Sequence, residues 1–216
     1  MAILKHMVVP KTVRFYQSRE INNQIKNIWV VLHGYGHLAE FFIRKFDALI
    51  DDSSMVIAPE GMHRFYLNGV SGRVGASWMT KEDRDNDIND YIQYLTTLIQ
   101  SIALEANPLV KINLIGFSQG GATACRFAMT SEVKLNALVL YSSVFPPDLN
   151  LNPIKINYIP FIIALMGDED EYVSEVDFRG NIELWNQQGL KAEPIFFKGK
   201  HEINPETLQL IKVKLG

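Results

Sequence analysis

Cysteine is almost missing from this sequence. Cys125 stands alone, so neither an internal disulfide nor a cysteine-based metal cage can form. That leaves the redox compartment open and favours a cytoplasmic location. An excess of one charge is missing too: 21 Lys and Arg against 24 Asp and Glu give a formal net charge of −3. Such a balance lacks the cationic surplus that grips a phosphate backbone or an anionic bilayer, which argues against nucleic acid as a partner. Long hydrophobic runs are also lacking. The longest, Ile159 to Met166, falls far short of the ~20 residues that cross a membrane, so no span is expected. The N-terminus is broken by Lys5, His6 and Pro10 and has no apolar core of ~7–15 residues, so no secretory signal is expected. Neither a Gly/Ser- or Pro-rich linker nor an internal repeat divides the chain.

What is present is a chain of 216 residues, 47% apolar, which suits one domain over residues 1–216 with a sizeable core. Short, continuous apolar runs mark candidate strands buried on both faces: Ile28 to Leu32, Met55 to Ala58, Val110 to Ile115, Ala137 to Tyr141, Phe161 to Met166 and Ile195 to Phe197. Helical patterns lie between them. From Glu82 to Ala106, residues Ile88, Tyr91, Ile92, Leu95, Ile99 and Ile102 recur at spacings of 3 and 4. Asn204-Pro205-Glu206 reads as a cap and first turn, with Leu208, Ile211 and Leu215 on the buried face. Helices also fit Leu38 to Ile50, Gln119 to Thr130 and Tyr172 to Gln187. Alternating strand and helix predict the α/β class, a mostly parallel sheet with helices on both faces. Ligands then bind beyond the carboxyl ends of the strands, where strands hand over to helices.

One such handover reads Gly116-Phe117-Ser118-Gln119-Gly120-Gly121, a G-x-S-x-G pattern between a strand and a small-residue helix. It suits a serine held on a strained turn with its hydroxyl above the sheet, glycines allowing close backbone approach and a helix N-terminus facing the developing oxyanion. A serine is a weak nucleophile near neutral pH, so a base and an orienting acid are expected downstream. Only His201 follows Ser118 among the five histidines, in the loop Lys198 to Glu202. The acid is expected after the strand Phe161 to Met166, where Asp168-Glu169-Asp170-Glu171 offers four carboxylates and no local basis for choosing. Upstream, Ile28 to Leu32 runs into His33-Gly34-Tyr35-Gly36-His37, a loop suited to an oxyanion hole. Its donors are expected to be the N–H groups of Tyr35 and Gln119. His33 and His37 stand four apart like a zinc pair, but two intervening glycines argue against a helix and no third ligand is evident, so no metal is expected.

These pieces together resemble the phospholipase/carboxylesterase family of α/β-hydrolases, which includes acyl-protein thioesterases. The matching segments are Leu32-His33-Gly34-x-Gly36, Gly116 to Gly121, Gly167-x-x-Asp170-x-x-Val173 and His201-Glu202. The resemblance implies Ser118 as nucleophile, His201 as base, Asp170 rather than Asp168 as acid, and hydrolysis of a carboxylic ester or acyl thioester without a cofactor. His37 and Trp78-Met79-Thr80 depart from the family's usual residues and bear on subgroup and acyl chain length.

From Gly61 to Asp87 the periodicity is weak and glycines are frequent, which marks a long loop of a kind that often covers a site, and the sequence does not say whether this one does. Trp78 and Phe145 are the candidate pocket walls, each equally suited to a core. Arg64 and Arg73 read as solvated surface charge, and Cys125 as a small buried hydrophobe. The expected function is a short-to-medium-chain carboxylesterase with a small acyl ester as substrate. The alternatives are a thioesterase or lysophospholipase for long chains, or a hydrolase-fold protein that binds without turnover. A homodimer is compatible with the sequence and not argued by it.

Overall fold

The computed structural model describes residues 2–149, 151 and 159–216. Its centre is a seven-stranded sheet built from β1 (Phe15–Gln17), β2 (Asn27–Leu32), β3 (Ser54–Pro59), β6 (Lys111–Phe117), β7 (Ala137–Tyr141), β8 (Phe161–Gly167) and β9 (Ala192–Phe197). The order across the sheet is β1-β3-β2-β6-β7-β8-β9, with β1 antiparallel to β3 and every other pair parallel. Each predicted strand is present. Strand β6 runs on through Phe117 to meet Ser118 directly, and β9 begins three residues earlier than its apolar run, where Ala192 pairs with Ile162.

Helices cover both faces, because alternate residues of the strands point to opposite sides. Val30, Leu32, Leu114, Leu138 and Leu140 pack on one face against α2 (Arg84–Glu105), α3 (Gln119–Thr130) and α4 (Glu175–Gln187). Trp29, Val31, Ile115, Val139 and Leu165 pack on the other face against α1 (Ala39–Phe42), the 3₁₀ segment Ile43–Leu49 and α5 (Pro205–Leu215). The expected helix over Leu38 to Ile50 is thus broken. Phe46, fully buried against Phe42, leaves helical geometry at φ −112°, ψ 16°, so packing overrides local preference. Helix α4 starts after Ser174 rather than at Tyr172, because the N–H groups of Tyr172 and Val173 donate to Asp170 Oδ1 at 2.9 and 3.1 Å. Asn204 caps α5 as read from the sequence, accepting from Glu206 and Thr207 N–H.

The segment from Gly61 to Asp87, read as a long loop, contains a hairpin of β4 (His63–Tyr66) and β5 (Val74–Ser77). Four-residue strands of mixed polarity carry too few alternations to be legible. No described helix is long and apolar enough to cross a membrane.

Candidate active site

The candidate residues converge at the carboxyl edge of the sheet. Strand β6 delivers Ser118, whose backbone sits at φ 53°, ψ −120°, a strained conformation for a side-chain-bearing residue. Its N–H donates to Tyr141 O at 3.0 Å, and its own carbonyl accepts from Gly121 N–H at 2.9 Å. The flanking glycines are needed for close approach. A Cβ on Gly116 would strike the carbonyl of Gly120, one on Gly120 the carbonyl of Leu32, and one on Gly121 the hydroxyl of Ser143.

Strand β8 delivers the four carboxylates, and they part company at once. Asp170 alone turns inward with a fully buried side chain, and its Oδ2 lies 2.9 Å from His201 Nδ1. Its other oxygen accepts the two N–H bonds that precede α4, so the carboxylate is fixed before it meets the histidine. Asp168 instead accepts from Gly199 N–H at 2.9 Å, and Glu171 accepts from His201 N–H at 3.3 Å. The His201 ring is flanked by Phe117 and Tyr172, with centroids 4.9 and 4.7 Å away. Those rings confine the imidazole from two sides.

Strand β2 delivers the loop from His33 to His37. His33 is buried, its Nδ1–H donating to Gly34 O at 2.8 Å and its Nε2 accepting from Gly61 N–H at 2.9 Å. Both ring nitrogens are thereby committed within the protein. Burial pushes the imidazole down to about 4, so it is neutral near pH 7. His37 stacks on Phe117 at 5.7 Å and is also shifted downward, first by burial and then by the nearby Lys45 and His201. Among the described residues, neither the Tyr35 N–H nor the Gln119 N–H donates a hydrogen bond. The Gln119 side chain ties the Ser118 turn to the segment after the hairpin, accepting from Trp78 N–H at 3.2 Å and donating to Met79 O at 2.9 Å.

A cleft of about 600 Å³ opens here, lined by Tyr35, His37, Ser118, Arg126, Pro146 and His201 among others. Trp78 and Phe145, read from the sequence as pocket walls or core, are not among those lining residues. Trp78 is wholly buried against His33 and Tyr91, and Phe145 is buried against Trp185, because rings of this size bury wherever the core admits them. Sequence reading missed Arg126 on the wall, although Ser118, Ala122 and Arg126 share one helix face at spacings of four. Arg126 grips Asp148 with two bonds of 2.8 and 3.1 Å, and Arg84 pairs with the same carboxylate. Arg73 lies away from the cleft lining, Arg64 is 3.7 Å from Glu60, and Cys125 is buried with its thiol pushed up by desolvation.

The sequence matches the Phospholipase/Carboxylesterase family over residues 19–215. The chain belongs to that family. Solved structures align over nearly all of it. Esterase PE8 shares 21% identity, covering 95% of this chain and 98% of its own, at a TM-score of 0.70. Acyl-protein thioesterase 2 of Zea mays shares 18%, with 94% and 99% covered and a TM-score of 0.69. The Bacillus cereus carboxylesterase shares 14%, with 94% and 93% covered and a TM-score of 0.66. At these identities the likeness to this family member is one of fold. No curated protein sequence matches the chain.

Proposed function

We propose that this family member is a single-domain serine esterase that cleaves short-to-medium-chain carboxylic esters through an acyl-enzyme. The observation that carries the reading is the buried Asp170, 2.9 Å from Nδ1 of a histidine that lines the same cleft as a serine on a strained turn. With Nδ1–H donated to the carboxylate, His201 Nε2 is left as the basic nitrogen. It takes the proton of Ser118 Oγ as that oxygen bonds to the acyl carbon. The carbonyl π pair moves onto oxygen, where the Tyr35 and Gln119 N–H groups receive it. Collapse expels the alkoxide with the proton from His201, leaving the acyl group on Ser118. Water, deprotonated by the same nitrogen, attacks that ester and returns the free serine.

Arg126 supports the shorter chain. The cleft wall that carries Ala122, Val144, Pro146 and Pro147 also carries Arg126, whose largely buried guanidinium is paired with Asp148, and an alkyl chain gains less against a charged group than against an apolar one. Rates on p-nitrophenyl esters from acetate to palmitate should peak at the short end. A peak at palmitate would favour the long-chain thioesterase reading.

The decisive experiment is incubation with a fluorophosphonate followed by peptide mapping. One adduct on Ser118, lost in His201→Ala, is the expected result. A folded protein that stays unlabelled would overturn the esterase reading and leave a binding protein of hydrolase fold.

A further inference from the structure

The loop carrying Tyr35 contains two glycines, Gly34 and Gly36, the latter at φ 77°, and its middle is tied to the hairpin by Gly36 N–H donating to Ala76 O at 2.9 Å. It lies hard against the nucleophile: a Cβ on Gly34 would come within 3.2 Å of Ser118 Cβ. Its two ends are fastened by a dipeptide just after β3. Gly61 N–H donates to His33 Nε2 at 2.9 Å at the start of the loop. At the loop's end, Glu60 Oε2 accepts from Ala39 N–H at 3.2 Å.

Glu60 is a buried carboxylate, 2% exposed, and such a charge requires a partner. Arg14 supplies it in a fork, Nε to Oε1 at 2.6 Å and Nη2 to Oε2 at 3.1 Å. Backbone bonds hold Arg14 in turn, its carbonyl accepting from Glu60 N–H at 3.1 Å and from the Tyr94 hydroxyl at 3.0 Å. Arg14 precedes residue 19, where the family match begins. The counter-ion therefore comes from a stretch of chain outside the matched region.

We propose that Glu60, oriented by Arg14, is a positioning residue that sets the oxyanion loop, fixing the Tyr35 N–H where charge develops on the acyl oxygen. The inference rests on the esterase reading above. An oxyanion donor works only when held at its distance in advance, and a misplacement of about 1 Å can cost on the order of 100-fold in rate. Removing Glu60 frees the Ala39 N–H and lets Glu60-Gly61 drift from His33. Removing Arg14 takes the fork away and leaves the buried carboxylate only the more distant Arg64, at 3.7 Å.

The test is steady-state kinetics on p-nitrophenyl butyrate, with active sites counted by phosphonate titration, beside the affinity for an aryl boronic acid, whose serine adduct places an oxygen in the same hole. Glu60→Ala and Arg14→Leu should lower kcat by about 10- to 100-fold with KM changed by less than about 3-fold. Boronate affinity should fall in step with kcat/KM. Glu60→Gln, which keeps an acceptor for Ala39, should recover part of the loss. Lys11→Ala, which removes a bond to Met62 O at 2.6 Å on the same segment, should match the wild type. Should Glu60→Ala not fold, Arg14→Leu and Glu60→Gln carry the test. Variants that melt lower yet turn over and bind boronate like the wild type, per titrated site, would overturn the inference alone. A wild type with no labelled Ser118 would overturn the esterase reading and this inference together.

Discussion

The indole N–H of Trp78 donates to the carbonyl of His33 at 2.9 Å, and the two rings lie 5.1 Å apart at a tilt of 32°. A residue that reads in sequence as a pocket wall thus supports the loop from His33 to His37 from behind. Other bonds from the hairpin segment do the same, Gly36 N–H to Ala76 O at 2.9 Å and Ala76 N–H to His37 O at 3.1 Å. The segment from 61 to 87 thus contributes backing to the loop.

Trp78→Phe retains much of the ring and removes the donor. A buried carbonyl losing its partner costs about 1–3 kcal/mol, so Tm should fall measurably. Esterase activity should fall about 10-fold through the loosened loop, read as kcat per titrated active site. An unchanged kcat would separate the Trp78 contact from catalysis.

Asp170→Asn and Asp168→Asn make a paired prediction. Asp170 holds His201, so its amide should misassign the imidazole tautomer and lower kcat by about 10⁴-fold. Asp168 accepts one backbone bond from Gly199, which an amide oxygen can also accept, so kcat should stay within about 10-fold. The two variants are compared at equal folded concentration by circular dichroism.

His33 gives stability a pH dependence of defined sign. Its folded value of about 4 lies below the ordinary 6.5, so the unfolded chain binds the proton first. The stabilisation is complete above pH 6.5 and is lost as pH falls from there toward 4. Between pH 7 and pH 5 this one group removes about 2 kcal/mol, and His37, depressed in the same direction, adds to it. Urea midpoints at the two pH values should differ accordingly. His33→Gln should be less stable at pH 7 and flatter with pH.

Arg126→Leu should move the chain-length optimum to longer esters, since the guanidinium on the cleft wall is replaced by an apolar side chain. Asp148 keeps Arg84 as its partner, so the fold should survive at reduced Tm. The ratio of kcat/KM for p-nitrophenyl octanoate over acetate is the readout. A ratio equal to that of wild type would remove Arg126 as the determinant.

The sequence by itself determined the α/β alternation, because continuous apolar runs and 3.6-residue stripes are local properties of the chain. It also determined where Ser118 and His201 fall relative to the strands, since G-x-S-x-G demands a strained turn and only one histidine follows it. Tertiary structure decided what depends on contacts between distant segments. Four adjacent carboxylates are alike in sequence, and only the packing that closes over Asp170, 31 positions before His201, distinguishes one of them. The pairing of Arg14 with Glu60 across 46 positions and the turning of Trp78 inward onto His33 follow from the same cause. Burial selects a side chain's partner only after the strands have been assembled, and no local pattern encodes which surface will be waiting there.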